Sequence, residues 1–322
     1  NDQILKKIIE RSIKFNKKAI YDLDYLANSI SSDLLYFIKN KDKFSKKIAR
    51  YNGLIGSVLS LPIENYLAHI GSQKKLSFYL WQHGEKGQYI DPFIYSTELQ
   101  YTTHYLAYGK GVKQHYEKYI NENRLEQVFS VGSLGKKIKH EGGSTILYAT
   151  GKWFYTGLSF NEAIDPDSRL FECQQIILDF LKALPNANEV VFKANNTNGL
   201  NSIPYSMGEV KLEYKTHFTE LLKKSKVLIL DTPATTFVEA SSTTIPIFIL
   251  GGRSNYIDKV KKLMSKRAVF CETTSELIIK LEAFFKTGLY EADVNDSSYN
   301  ELYGSGEFES KEIVKNILKA LN

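Results

Sequence analysis

What most constrains this chain is an alternation, played twice, of short apolar runs with helical segments. From residue 76 onward, Leu76–Trp81, His104–Tyr108 and Gln127–Val131 each read as a strand, and Val112–Ile120 reads as a helix between the last two. Strands that alternate with helices predict a parallel sheet, because parallel neighbours need a crossover connection. A polar, glycine-bearing stretch, Lys136–Ser144 (KKIKHEGGS), breaks the pattern and reads as a linker. The alternation then restarts, with strands at Thr145–Ala149, Glu189–Lys193, Val227–Asp231 and Pro246–Leu250. Helices are expected over Leu170–Leu184, Phe218–Lys224, Thr235–Ser242, Val260–Lys266, Ser275–Lys286 and Ser310–Leu321. The expected fold class is α/β, with two Rossmann-like domains, 1–140 and 141–322, whose parallel sheets face a cleft. The first seventy residues read as extra N-terminal helices. Ile4, Leu5, Ile8, Ile9 and Ile13 recur at helical spacing, and further helical segments run from Tyr21 to Ile38 and from Phe44 to about Leu59.

Composition removes several classes. With 322 residues, 43% hydrophobic and 24% charged, the chain is neither wholly disordered nor collagen-like. No stretch approaches the ~18 apolar residues of a membrane span. Two cysteines, Cys173 and Cys271, exclude a disulfide scaffold, and their spacing does not suit a zinc site, so reduced core thiols are expected. Forty-two basic against 36 acidic side chains leave a net charge of +6, with Lys-Lys pairs at 6–7, 17–18 and 46–47. A mildly basic chain suits anionic partners, though a solvated lysine face accounts for it equally well. The tyrosine-rich stretch around 95–108 reads as core and cleft wall rather than a base-stacking platform, and no nucleic-acid partner is expected.

Open α/β sheets bind ligands beyond the carboxyl ends of their strands, so the residues after each strand carry the functional information. The strongest signal is Val227–Ala240, VLILDTPATTFVEA. The strand stops at Asp231; Thr232 suits an N-cap and Pro233 the first helical position, with Ala234 next. Free N–H groups and the hydroxyls of Thr232, Thr235 and Thr236 would suit a phosphate, and Glu239, one turn in, could accept from sugar hydroxyls. An ordinary capped helix fits the same letters. A second signal is Gln82-His83-Gly84-Glu85, with Asp91 and Glu98 following. A histidine and carboxylates after a strand can act as general base, acid or charge stabiliser. Thr150-Gly151-Lys152 and Lys193 end two further strands, and each lysine could neutralise a phosphate or simply sit on the surface. No metal-ligand spacing, Walker loop or G-x-G-x-x-G appears. Asp22-Leu-Asp24 matches a metal motif only in its letters, since it falls in a predicted helix.

The order of these segments is specific: QHG, Glu98, HYLAYG, VFSVGS, ILYATGKW, VVFK, LLKKSKVLILDTPATTFVEA, PIFIL. Over roughly residues 76–250 it resembles the GT-B glycosyltransferases of bacterial surface-polysaccharide synthesis, including CDP-glycerol glycerophosphotransferases and the Kdo and sialic acid transferases. QHG followed by Glu98 is most similar to the Kdo-transferase-like group. The resemblance implies a GT-B fold and a nucleotide-sugar donor, CMP-linked by preference. The acceptor would be a glycan or lipid-linked glycan. No essential metal or other cofactor is implied. It gives Thr232, Thr235 and Thr236 to donor phosphate, Glu239 to the ribose, and Lys152 or Lys193 to the phosphate charge. His83 and Glu98 would carry the chemistry, with Glu85 and Asp91 in reserve. A cytoplasmic location is expected, and the basic N-terminal region could dock on an anionic membrane at its inner face. Two departures stand out: VVFKANNTNG lacks the family's His-Pro element, and QHGEKGQY lacks its extra glycine. The helical N-terminus also lacks the first strands expected of a GT-B N-terminal domain.

Overall fold

The computed structural model describes residues 36–37, 39–57, 62–84, 87–88, 98–132, 138–151, 167–194, 205–252, 254–304 and 310–321. Two parallel sheets organise them. Strands β1 (Gly53–Gly56), β2 (Ser77–Trp81), β3 (His104–Ala107) and β4 (Gln127–Ser130) form the first, in that order. Strands β5 (Thr145–Ala149), β6 (Val190–Lys193), β7 (Lys211–Glu213), β8 (Ser225–Leu230), β9 (Ile247–Leu250) and β10 (Val269–Cys271) form the second, ordered β10-β9-β8-β5-β6-β7. All its pairings are parallel. The helices in chain order are α1 (Pro62–Gln73), α2 (Lys110–Asn121), α3 (Asp167–Lys182), α4 (Phe218–Lys223), α5 (Thr235–Ala240), α6 (Asp258–Arg267), α7 (Thr274–Thr287), α8 (Ser298–Tyr303) and α9 (Ser310–Leu321).

The second sheet shows why its strands read as continuous apolar runs. Both faces of its central strands are covered, so most of their positions are buried. Ile146, Tyr148, Val227, Ile229 and Phe248 face one side and join residues of α3 and α7. Leu147, Ala149, Leu228, Leu230, Ile247 and Ile249 face the other and join Leu222 of α4, Phe237 of α5 and Met264 of α6. That second cluster continues without a break into the first sheet, through Tyr256, Tyr299 and Tyr303 to Val112, Tyr116, Tyr105 and Leu80. The chain then returns to where it began. Helix α8 packs on α2 and α6, and Ile317 of α9 packs on Leu106 and Val131 beside the first sheet.

One expectation fails here. The helix expected from Phe44 to Leu59 ends by residue 48, and β1 follows, pairing Leu54 with Phe78 and Ile55 with Tyr79. Leu54, Ile55, Val58 and Leu59 keep a helical rhythm, but Gly53 and Gly56 weaken any helix through them, and the open edge of β2 supplies backbone partners. The first sheet thus has an early strand where the sequence suggested none. The helices expected over 4–13 and, up to residue 35, over 21–38 lie outside the described residues, as does the Asp22–Asp24 pair. Among the described residues no helix is long and apolar enough to cross a membrane.

Candidate functional site

In the second sheet the strand order reverses between β5 and β8, the place where open α/β sheets carry a ligand crevice. The side chain of Asp231 lies fully buried under it. Its Oδ1 accepts from the Gly151 N–H at 2.5 Å, and its Oδ2 accepts from the Tyr148 hydroxyl at 2.9 Å and Gln174 Nε2 at 2.8 Å. Gln174 is in turn fixed by the Tyr205 hydroxyl at 2.8 Å. Burial and the Asp231 charge push the Tyr148 phenol well above its ordinary range, so it stays a donor. Gly151 lies so close to Thr232 that a Cβ there would come within 2.3 Å of the threonine Oγ1. Thr150, Gly151 and Thr232 therefore form one floor.

The helix after β8 begins later than expected. Thr232 is not its N-cap and Pro233 is not its first residue: α5 starts at Thr235, with Ala234 in the cap position and no side-chain cap. The Tyr256 hydroxyl donates to the Pro233 carbonyl at 2.6 Å, so Ala234 supplies the first helical acceptor, for Phe237 N–H at 2.9 Å. The hydroxyls of Ser241, Ser242 and Thr243 bond back to the carbonyls of Val238, Glu239 and Ala240 and end the helix at 240 rather than 242. Thr235 is exposed, and Thr236 and Glu239 are half-buried. Burial raises the Glu239 carboxyl, and the neighbouring charge of His217 pulls it partly back.

The loops of the two sheets meet here. Gln82, buried at the end of β2, donates from Nε2 to the Gly84 carbonyl at 2.8 Å and accepts the Tyr108 N–H on Oε1 at 2.7 Å. That clamp shapes the turn that exposes His83. Gly84 sits at φ +56°, and a Cβ on it would fall 2.6 Å from Thr235 Oγ1. The two strongest sequence signals, QHG and DTPATT, thus touch. Glu98 takes a different place. It is 5% exposed, and its Oε2 accepts from the hydroxyls of Tyr116 at 2.5 Å and Tyr105 at 3.3 Å, two rings stacked 3.9 Å apart. Glu85, Asp91 and Lys152 lie outside the described residues.

Next to the crevice is a cavity of about 350 Å³ at the carboxyl ends of β5, β6 and β7. Ala149, Thr150, Lys193 and Thr236 line it, as the sequence led one to expect of the last three. The turn Tyr214-Lys215-Thr216-His217 forms its other wall and was not foreseen. Glu213 at the end of β7 builds that turn: its Oε1 accepts the N–H groups of Lys215 at 2.8 Å and Thr216 at 2.9 Å, and these bonds hold the carboxyl down at about 2. Burial lowers the Lys193 ammonium, with Glu213 opposing the shift. Three nitrogen-bearing side chains, Lys193, Lys215 and His217, and four hydroxyl-bearing ones, Thr150, Tyr214, Thr216 and Thr236, therefore line a space open to an anionic, hydroxyl-rich ligand. Among the described residues no cluster of three or more His, Cys, Asp or Glu side chains suits a metal ion. The sequence clue to the missed wall was a histidine placed directly before the short helix FTELLK.

No protein-family model matches this sequence, and no curated protein matches it. Solved structures do. MnaA of S. aureus, determined with UDP, superposes with a TM-score of 0.55 at 14% identity, over 90% of this chain and 82% of that one. A candidate UDP-N-acetylglucosamine 2-epimerase of Listeria monocytogenes gives 0.53 at 11% identity, over 87% and 77%. A glycosyltransferase of Rickettsia africae gives 0.50 at 10% identity, over 88% and 80%. The chain has the GT-B fold. In GT-B terms, the cavity belongs to the second sheet and the QHG turn to the first.

Proposed function

We propose that this chain is a glycosyltransferase that moves a sugar from a nucleotide-activated donor to a bacterial surface-glycan acceptor. The observation that carries the reading is the contact of the QHG turn with Thr235 beside a cavity furnished with Lys193, Lys215, His217, Thr150 and Thr236. Glycosyl transfer develops cationic character on the sugar and negative charge on the departing phosphate. The cavity supplies donors for the phosphate, Glu239 acceptors for ribose hydroxyls, and exposed His83 a base for the acceptor hydroxyl. Lys152, Glu85 and Asp91 keep their proposed roles at the phosphate and the reacting centre. Glu98 reaches substrate only if its two tyrosines release it, so His83 leads. The QHG resemblance favours a CMP-linked acidic sugar such as Kdo or sialic acid; CDP-glycerol, with glycerophosphate transfer, is the alternative. A lipid-linked acceptor would fit peripheral docking through the N-terminal lysines, which sedimentation with anionic liposomes tests.

The Listeria neighbour favours one second reading, a sugar-nucleotide epimerase on the same fold. A thermal-shift panel of CMP, CDP, UDP and GDP, each with Mg²⁺ or with EDTA, decides the nucleotide. Ligand at ~100 times its dissociation constant adds about 2.7 kcal/mol. A shift with CMP alone, unchanged by EDTA and lost in Glu239→Ala, supports the CMP-linked, metal-independent reading. A UDP or GDP preference keeps the transferase and removes the Kdo-like donor. Release of free nucleotide during turnover separates transfer from epimerisation. No shift with any nucleotide would sink the proposal in favour of a non-catalytic module for anionic ligands.

A further inference from the structure

His217 does two things at once. It is the N-cap of α4, and it lines the cavity. As the cap, its Nδ1 accepts from the Thr219 backbone N–H at 3.4 Å and lies 2.8 Å from Thr219 Oγ1. A backbone N–H can only donate, so the nitrogen facing it is the unprotonated one. The neutral ring therefore carries its proton on Nε2. Among the described residues Nε2 has no hydrogen-bond partner, and it is the nitrogen left for the cavity. Glu213 holds the turn that carries the ring, so the donor is placed before any ligand arrives.

We propose that His217 is a binding residue for the donor's phosphate: Nδ1 fixes the tautomer by capping α4, and Nε2–H is thereby presented to a phosphate oxygen together with Lys193 and Lys215. The proposal rests on reading the cavity as the donor site. An anion suits this wall: among the described residues neither lysine makes a direct ion pair, although the Glu213 charge acts on Lys193 against its burial and Lys215 lies over the Tyr214 ring at 5.9 Å. A phosphate oxygen accepts from all three nitrogens. A nucleobase or a sugar hydroxyl would use only one or two of them.

Two conservative variants separate the roles. Asparagine places an acceptor where Nδ1 lies, and glutamine places an N–H where Nε2 lies. His217→Asn is expected to keep the melting temperature and to lose about tenfold or more in nucleotide affinity. His217→Gln is expected to lower the melting temperature and to restore most of that affinity. Titration calorimetry on the whole chain would use the panel nucleotide that binds best, its nucleoside, and inorganic pyrophosphate. Nucleoside affinity should be the same in wild type and both variants. Equal nucleotide affinity in wild type and His217→Asn would overturn the proposal while leaving the transferase reading intact. Pyrophosphate bound in a His217-dependent way without any nucleotide would keep His217 as an anion-binding residue but overturn its assignment to a donor's phosphate, together with the transferase reading. Failure of wild type to bind either would overturn both.

Discussion

Replacing Gly84 with alanine measures the contact between the loops of the two sheets. The perturbation has two parts. At φ +56° an L-residue adopts the left-handed region, which costs about 1–2 kcal/mol. The added Cβ would also lie 2.6 Å from Thr235 Oγ1, closer than carbon and oxygen tolerate. Thr235 is exposed and can turn its hydroxyl away, at about 0.5–1.5 kcal/mol for leaving a good rotamer. The sum is ~1.5–3.5 kcal/mol, of which only the second part depends on Thr235. Thr235→Ala alone should change stability by less than about 0.5 kcal/mol, as for other exposed sites. Gly84→Ala/Thr235→Ala should recover ~0.5–1.5 kcal/mol of the Gly84→Ala loss. Urea unfolding followed in parallel by tryptophan fluorescence and far-UV circular dichroism gives the free energies, provided the two transitions coincide. Additivity within about 0.3 kcal/mol would refute the contact, because independent sites add and touching ones do not.

Other perturbations follow from the same geometry. Asp231→Ala orphans the Gly151 N–H, the Tyr148 hydroxyl and the Gln174 amide together, and should cost about 3–5 kcal/mol by urea unfolding and abolish nucleotide shifts; a loss under ~1 kcal/mol would contradict the clamp. Tyr116→Phe removes the shorter of the two phenol bonds to Glu98 and should cost about 1.5–3 kcal/mol in the same assay. His115 is held down at about 4 by burial, with Lys118 adding to the effect, against 6.5 when unfolded. Between these values only the unfolded chain binds the extra proton, so stability is complete above pH 6.5 and declines as pH falls towards 4. The share of His115 is on the order of 2 kcal/mol after solvent screening, and His115→Gln should flatten the profile in that window. The Glu213 carboxyl, at about 2 against 4.5, should hold its turn in place above pH 4.5 and release it as pH falls through about 2, seen as loss of amide-exchange protection at Lys215 and Thr216.

Much of the fold was legible because the second sheet is buried on both faces. An apolar strand flanked by helices leaves little choice, and Thr145–Ala149 and Ser310–Leu321 came out with the bounds read from sequence. What escaped was short or set from a distance. β1 (GLIG) has two apolar residues, and β7 (KLE) and β10 (VFC) have three residues each, too few for a period to show. Their existence depends on the open edges of β2, β6 and β9. The site divides in the same way. QHG and DTPATT announced themselves because each directly follows a strong strand. The wall from Tyr214 to His217 did not, since its place follows from Val191 pairing with Lys211 across twenty residues of chain. The burial of Glu98 was hidden likewise, because its partners Tyr105 and Tyr116 lie 7 and 18 residues away.

The two sheets meet the same mechanical demand by the same means. A ligand loop must be exposed to act, yet it must hold still, and exposed loops lack the packing that confers stillness. Each sheet answers with a polar side chain buried at the end of a strand, which bonds the backbone of the loop after the neighbouring strand. Gln82 after β2 takes the Tyr108 N–H after β3, and Asp231 after β8 takes the Gly151 N–H after β5. A buried polar group is costly unless satisfied, and these are satisfied by the very loops they position, so loosening either loop would expose that cost. Gln82 and Asp231 stand inside the two motifs that looked chemical in the sequence, and both are buried and spent on hydrogen bonds within the protein. The letters that mark such a motif therefore mix two kinds of residue: those left accessible, here His83, Thr235 and Thr236, to which the proposed function gives the chemistry, and those that fix where they stand.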